Sequence, residues 1–164
     1  AVFTLFIVGL FPFPKAHFTF TSFDFGMGGR YHVADIFSPC ALGAVINDDT
    51  IQKFKYEIIA GGANNQLEDE DKHGQMLVDR GILYAPDYVI NAGGLINVAN
   101  ELEGYRQDRA MKQAEGIYEI VQRVFKTAKE RSIPTHVASN KIAEDRLVQV
   151  GGIRKIYSST NGRN

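Results

Sequence analysis

The middle of this sequence contains three short loops that are rich in small and amide residues. They occupy residues 38–43, 61–65 and 91–94, and each follows an apolar run and precedes a helical pattern. Repeated alternation of strand, turn and helix is typical of a parallel sheet, because a parallel connection needs a crossover that is usually a helix. The sequence therefore predicts an α/β fold with a partial, doubly wound parallel sheet and additional helices toward the C-terminal end.

The expected strands and the first helices follow from local pattern. Ile36 and Phe37 begin the series of strand candidates, which continues at residues 56–60, 82–85 and 88–90. A helix is predicted to begin at residues 47–49, whose short polar side chains suit an N-terminus. Another is predicted from the acidic residues 68–71, which the positive end of a helix dipole favours, to Gly81.

Beyond residue 104 the pattern becomes purely helical. An apolar stripe at three- and four-residue steps predicts a helix over residues 107–131, formed by Met111, Ala114, Tyr118, Val121, Phe125 and Ala128. Pro134 permits a last helix over residues 135–148, which we expect to bury Ile142 and Leu147. The tail, residues 151–164, is rich in glycine, serine and asparagine and is expected to be loose.

The first 34 residues differ in composition from the rest, since eight of the eleven phenylalanines lie in the first 25. Phe18, Phe20, Phe23 and Phe25 alternate with polar residues, which predicts a hairpin or an edge strand. The glycine-rich residues 26–29 lack the spacing of a phosphate loop and indicate a flexible turn. The apolar residues 2–11 are too short to span a bilayer and lack signal-peptide flanks, so we expect no membrane partner.

Charge and cysteine content narrow the classes of partner. The chain has 18 lysines and arginines against 19 aspartates and glutamates and no basic stripe, so nucleic-acid binding is not expected. A small molecule or a protein is the favoured partner. The single cysteine, Cys40, cannot form an internal disulfide, which favours a cytoplasmic location.

The loops are the candidate ligand site, because the carboxyl ends of parallel strands share one edge and the helices that follow point their N-termini at it. Small residues let a flat ring approach the backbone, and an asparagine amide can both donate to and accept from a carboxamide such as that of nicotinamide. Asn64, Asn65 and Asn91 are the candidates, with ordinary turn or capping roles as the alternative.

Other residues that could carry chemistry have simpler interpretations. Cys40 is expected to be a small buried hydrophobe rather than a nucleophile. His73 is expected on a solvated helix face. The carboxylates of residues 68–71 point in different directions, so they indicate a solvated helix start and no metal site.

Three stretches carry a resemblance to a known family: DIFSPCALGA at residues 35–44, IAGGANNQL at 59–67 and YAPDYVINAGGLINV at 84–98. In order and spacing they resemble the leucine dehydrogenase type of the glutamate, leucine, phenylalanine and valine dehydrogenase family, from about residue 35 to residue 150. The resemblance implies the C-terminal part of a Rossmann-like coenzyme domain. It also implies NAD-dependent oxidative deamination of an L-amino acid to a 2-oxo acid and ammonia.

By this resemblance, Cys40, Ala41, Asn64 and Asn65 lie beside the nicotinamide and its ribose, and Asn91 borders the reaction centre. Leu95 and Val98 match positions that line the substrate side-chain pocket. Because both are aliphatic, we expect leucine, isoleucine or valine as substrate rather than glutamate. Ordinary core packing is the alternative for both residues.

The sequence also departs from the family. The N-terminal domain with its catalytic lysines and aspartate, and the glycine-rich phosphate turn, have no counterpart here, and residues 1–34 do not match. We therefore identify no catalytic residue and expect weak NAD binding, no turnover by the chain alone and self-association through uncovered apolar surface. The alternatives are a non-catalytic binding or assembly module that retains the fold, and an unrelated nucleotide-binding enzyme.

Overall fold

A four-stranded parallel sheet organises the chain, in the order β1-β2-β3-β4. The computed structural model describes residues 18–21 and 34–160. One row of paired residues crosses the sheet from Phe18 through Ile36 and Ile58 to Leu83. The strands are β1 (Phe18–Thr21), β2 (Ile36–Pro39), β3 (Ile58–Ile59) and β4 (Leu83–Tyr84). The helices are α1 (Asp48–Ile51), α2 (Glu70–Asp79), α3 (Asp87–Ile90), α4 (Gly93–Leu102), α5 (Gln107–Arg131) and α6 (Thr135–Thr160).

Helices cover both faces of the sheet, as the near-continuous apolar strands predict. Ile36 and Ile58 point to one face, where they pack with residues of α3 and α5 such as Val89 and Val121. The alternate residues point to the other face and pack with α1, α2 and the aromatic residues between α1 and β3; this cluster includes Phe37, Ile59, Ile51, Leu77, Phe54 and Tyr56. The doubly wound α/β prediction is confirmed.

Local capping explains where several helices begin and end. The Asn47 side chain accepts hydrogen bonds from the backbone N–H groups of Asp49 and Thr50, each at 3.1 Å, so α1 begins where predicted. Asp69 caps α2 in the same way through the N–H of Lys72 at 2.8 Å. Helix α5 spans the predicted residues 107–131 and ends where Ser132 adopts a left-handed conformation with φ of 54°.

Two predicted elements are wrong. Residues 88–90 belong to the single helical turn α3 rather than to a strand, because the Asp87 side chain accepts the N–H of Tyr88 and stabilises a helical start after Pro86. Helix α6 continues to Thr160, through residues expected to be loose. Glycine disfavours a helix by about 1 kcal/mol relative to alanine, but no proline follows residues 151 and 152 to stop it.

The buried faces of α5 and α6 also differ from the predicted ones. On α5 the buried positions are Ala110, Ile117, Val121, Val124 and Ala128, while Met111 is half exposed. On α6, Ile142 is partly buried against Val124 and Ala128, as expected, whereas Leu147 is 73% exposed.

The N-terminal prediction is confirmed in part. Residues 18–21 form β1, an edge strand of the described sheet that runs parallel to β2 and so is not the arm of a hairpin with it. The glycine-rich residues 26–29 and the apolar residues 2–11 lie outside the described residues. Within residues 18–21 and 34–160, no helix is long and apolar enough to cross a bilayer.

Candidate functional site

The first and second loops are joined by backbone hydrogen bonds at the carboxyl edge of β2 and β3. The N–H of Ala44 donates to the carbonyl of Asn65 at 2.7 Å, and the N–H of Ile46 donates to the carbonyl of Gln66 at 3.0 Å. Ala63 donates in turn to the carbonyl of Pro39 at 2.9 Å. Residues 38–43 and 61–65 therefore form one continuous surface at the carboxyl edge of the sheet, which we call the rim.

Small residues are required where these loops touch. A Cβ atom at Gly61 would overlap the carbonyl oxygen of Pro39 and lie 2.6 Å from its nitrogen, both backbone atoms that cannot rotate away. A Cβ at Gly43 would lie 3.1 Å from the carbonyl oxygens of Asn64 and Asn65. Asn65 itself has a φ of 53°, a left-handed conformation that asparagine tolerates better than most residues.

Residues 91–94, the third predicted loop, follow the helical turn α3 rather than a strand, and Gly93 and Gly94 already belong to α4. Asn91 nevertheless closes the rim through a pair of side-chain amides. Nδ2 of Asn91 donates to Oδ1 of Asn64 at 2.6 Å and lies 3.4 Å from the carbonyl oxygen of Gly62. In the described part of the chain, Nδ2 of Asn64 and Oδ1 of Asn91 have no hydrogen-bond partner. The pair thus leaves one donor and one acceptor at a surface that solvent reaches.

Beneath this amide pair, a buried polar layer holds the same loops together. The carboxylate of Asp87 accepts the backbone N–H of Gln66 at 3.0 Å and that of Tyr88 at 2.6 Å. The Gln66 side chain, fully buried, donates to the carbonyls of Gly61 and Ala63, each at 2.9 Å. Neither Asp87 nor Gln66 is predicted from the sequence, although an aspartate directly after a proline is a usable signal for a helix start.

Residues beside the rim are exposed. Cys40 and Ala41 follow the end of β2 and both face solvent, with Sγ of Cys40 3.3 Å from Oγ of Ser38. The expectation of a buried Cys40 is wrong, because the chain leaves the sheet at Pro39 and the cysteine lies in the loop. Leu95 and Val98 share one face of α4 and are 74% and 55% exposed. Core packing of these two residues within the described chain is therefore excluded.

The expectation for His73 is also wrong, since its side chain is buried at 1% exposure. Its Nδ1 accepts the backbone N–H of Asp69 at 2.9 Å, and its Nε2 lies 3.3 Å from Oδ1 of Asp48. The helix face that carries His73 turns toward α1. Lys72, hydrogen-bonded to Asp48 at 2.6 Å, holds the pKa of Asp48 below its ordinary value of 3.8, and His73 adds to this effect against a desolvation cost.

The acidic residues at the start of α2 lie on a solvated surface, as expected. Residues 68–71 are all exposed. Among the described residues, no group of three or more histidine, cysteine, aspartate or glutamate side chains is placed to hold a metal ion. Burial raises the pKa of the Tyr84 phenol, and the nearby charge of Asp87 raises it further, so this phenol is protonated beside the rim.

An open parallel sheet with helices on both faces and three loops gathered at the carboxyl edge defines the Rossmann type of α/β domain, in which ligands bind at that edge. Residues 21–151 match the Glutamate/Leucine/Phenylalanine/Valine dehydrogenase family, and the chain belongs to this family.

Individual relatives agree with this assignment. The chain is 54% identical over 123 residues to the leucine dehydrogenase of Thermoactinomyces intermedius, which covers 75% of this chain and 33% of that protein. It is 52% identical over 122 residues to the phenylalanine dehydrogenase of the same organism, covering 74% of this chain and 33% of the relative. The crystal structure of L-tryptophan dehydrogenase from Nostoc punctiforme superposes with a TM-score of 0.70 at 53% identity, covering 71% of this chain and 34% of that one. The chain spans about a third of the length of these relatives.

Proposed function

We propose that this chain is the nicotinamide-binding and substrate-pocket part of an NAD-dependent amino-acid dehydrogenase that deaminates branched-chain L-amino acids to 2-oxo acids. The observation that carries the proposal is the meeting of three loops at one sheet edge, where the Asn64 and Asn91 amides face each other. An exposed aliphatic helix face begins directly after the third of these loops.

The rim fits a nicotinamide. A carboxamide offers one N–H₂ donor and one oxygen acceptor, and the amide pair offers the complement, a free Oδ1 on Asn91 and a free Nδ2 on Asn64. The exposed Cys40 and Ala41 present small side chains against which a flat ring and its ribose can lie. The cofactor would supply the acceptor for the hydride that leaves the substrate's α-carbon. NAD is the form that the resemblance implies.

The substrate side chain is assigned to the exposed face of α4. Leu95 and Val98 are three residues apart and follow the Asn91 loop, so a ligand held at the rim reaches them first. Their aliphatic surface would bury an apolar substrate side chain, whereas a carboxylate there would lose its hydration without a partner. Relatives named for leucine, phenylalanine and tryptophan all act on apolar amino acids by their names, in keeping with such a pocket.

The chain alone is proposed to bind without turnover. Deamination needs a base to take the ammonium proton and to activate water, and none of residues 38–43, 61–65 and 91–94 is a lysine or a histidine. The roles of this chain are then to orient the cofactor through its amides and to exclude water from the substrate side chain. The base would come from the domain that carries the lysine pair in the family.

A chimera tests this proposal. Residues 35–150 replace the matching third of the Thermoactinomyces intermedius leucine dehydrogenase, and NADH formation is followed with leucine, valine, phenylalanine and glutamate. We expect leucine-dependent turnover and little with glutamate. Asn64→Ala or Asn91→Ala should raise KM for NAD, while Asn97→Ala, an exposed amide on α4, should leave it unchanged.

The substrate pocket has its own matched control. Leu95→Ala in the chimera should lower kcat/KM for leucine by at least about tenfold, since even one methylene in an apolar pocket is worth about 1–3 kcal/mol. Leu102→Ala, further along the same helix face and 87% exposed, should have no effect. A folded chimera without leucine turnover, or equal effects of the two alanine variants, contradicts the proposal.

A further inference from the structure

Asp87 is a buried acidic side chain with no place in the binding scheme above. It is 7% exposed, and both of its carboxylate oxygens accept backbone N–H groups, Oδ2 from Gln66 and Oδ1 from Tyr88. The Gln66 bond joins residues 21 positions apart in sequence. This side chain therefore connects the end of the second loop, which follows β3, to the start of α3, which follows the neighbouring strand β4.

The two connected backbone segments are those that carry the rim amides. Gln66 lies two residues after Asn64. Asn91 lies one helical turn after Asp87, and its N–H donates to the Asp87 carbonyl at 2.9 Å. A shift of Gln66 relative to Asp87 would consequently move the side-chain amides of Asn64 and Asn91 apart. The 2.6 Å hydrogen bond between these amides would not prevent this, because Asn64 is exposed and water can compete for the bond.

We propose that Asp87 is the positioning residue of the rim, whose carboxylate fixes the spacing of the second and third loops and so aligns Asn64 and Asn91 for one carboxamide. The role in cofactor binding rests on the proposed function, whereas the role in loop spacing stands without it. A carboxylate suits this position because both oxygens accept. An asparagine would turn an N–H₂ donor against one of the two N–H groups and leave that group unsatisfied.

The test compares Asp87→Asn with Asp108→Asn in the full chain by residue-resolved NMR. Asp108 is a matched control, because it also lies in the first turn of a helix and is exposed, with its carboxylate on Arg106. In the unsubstituted chain the amides of Gln66 and Tyr88 should exchange with solvent as slowly as those of β3. In Asp87→Asn the Gln66 amide should exchange at least about tenfold faster, and the side-chain amide signal of Asn91 should move. Asp108→Asn should do neither.

A titration with NAD⁺ provides the second readout. The apparent Kd should rise at least about tenfold in Asp87→Asn and stay unchanged in Asp108→Asn. The amides of Ile58 and Ile59 must keep their slow exchange, because a merely structural defect would accelerate them too. If the unsubstituted chain does not bind NAD⁺, the proposed function fails. The exchange rate of the Gln66 amide and the position of the Asn91 side-chain signal still decide whether Asp87 positions the loops.

Three outcomes overturn the inference. They are fast exchange of Gln66 in the unsubstituted chain, an unmoved Asn91 signal in Asp87→Asn, and an equal effect of Asp108→Asn. Should Asp87→Asn not fold, the exchange rates of Gln66 and Tyr88 in the unsubstituted chain decide: slow exchange supports the inference and fast exchange overturns it.

Discussion

Helix α2 passes so close to the start of α6 that a single methyl group tests the packing between them. A Cβ atom at Gly74 would lie 2.5 Å from Nδ1 of His136, whose ring is 2% exposed and has no hydrogen-bond partner among the described residues. Oδ1 of Asp71, 3.5 Å from Nε2 of that ring, is the nearest charged oxygen. The Gly74→Ala substitution therefore forces the imidazole out of its site or moves α6.

Two opposing contributions set the change in the free energy of unfolding that Gly74→Ala causes. Alanine is favoured over glycine inside a helix by about 1 kcal/mol. Overpacking a filled site costs about 1–3 kcal/mol. The net change for Gly74→Ala is thus a loss of stability between about 0 and 2 kcal/mol.

Gly116 of α5 provides the matched control, because a Cβ there would meet no atom within 4 Å. Gly116→Ala should stabilise the chain by up to about 1 kcal/mol. Urea denaturation followed by circular dichroism gives both values, and the two variants should differ by about 1–3 kcal/mol. In a His136→Ala background the obstacle is gone, so Gly74→Ala should become stabilising. Equal stabilisation by both alanines in the natural background would refute the packing argument.

Three further results are expected. Asn100→Ala should lower the free energy of unfolding by about 1–3 kcal/mol in urea titrations, because this buried side chain joins α4 to Arg109 and leaves its partners unsatisfied when removed. Asp48→Asn should lower the thermal midpoint above pH 3.8. Because Lys72 depresses the pKa of Asp48 in the folded state, this effect should fade below pH 3.8 and vanish as pH falls through the lowered pKa. Analytical ultracentrifugation should show self-association, reduced by Leu147→Glu on the exposed face of α6; a clean monomer would contradict this.

Local signals located much of the architecture. The apolar residues between 107 and 131 recur at three- and four-residue steps, a spacing that fits only a helix, and the observed α5 has those bounds. Asn47 caps α1 because a short side-chain oxygen at that position can reach the free N–H groups of the first turn. The first two loops meet because the parallel strands β2 and β3 end at a common edge, a consequence of topology that needs no knowledge of side-chain contacts. Asn91 reaches that edge from the end of the helical turn α3, which the sequence did not predict.

Other features depend on contacts that are distant in sequence. His73 is buried because α2 packs on α1, and its partner Asp48 is 25 positions away. Asp87 gains its role from the N–H of Gln66. The short apolar run at residues 88–90 has no period of its own, so a strand and a helical turn were equally compatible with it. Leu147 is 73% exposed because none of the core clusters of the described residues reaches it, and the pattern of one helix cannot reveal this.

The central claim is that three loops at one sheet edge form a single nicotinamide site. A residue-resolved NMR titration of the chain with NAD⁺ at millimolar concentrations tests it most directly. The signals of Cys40, Ala41, Asn64, Asn65 and Asn91 should shift together along one binding curve. Shifts confined to residues of α5 and α6, or none at these five residues at saturation, would contradict the account.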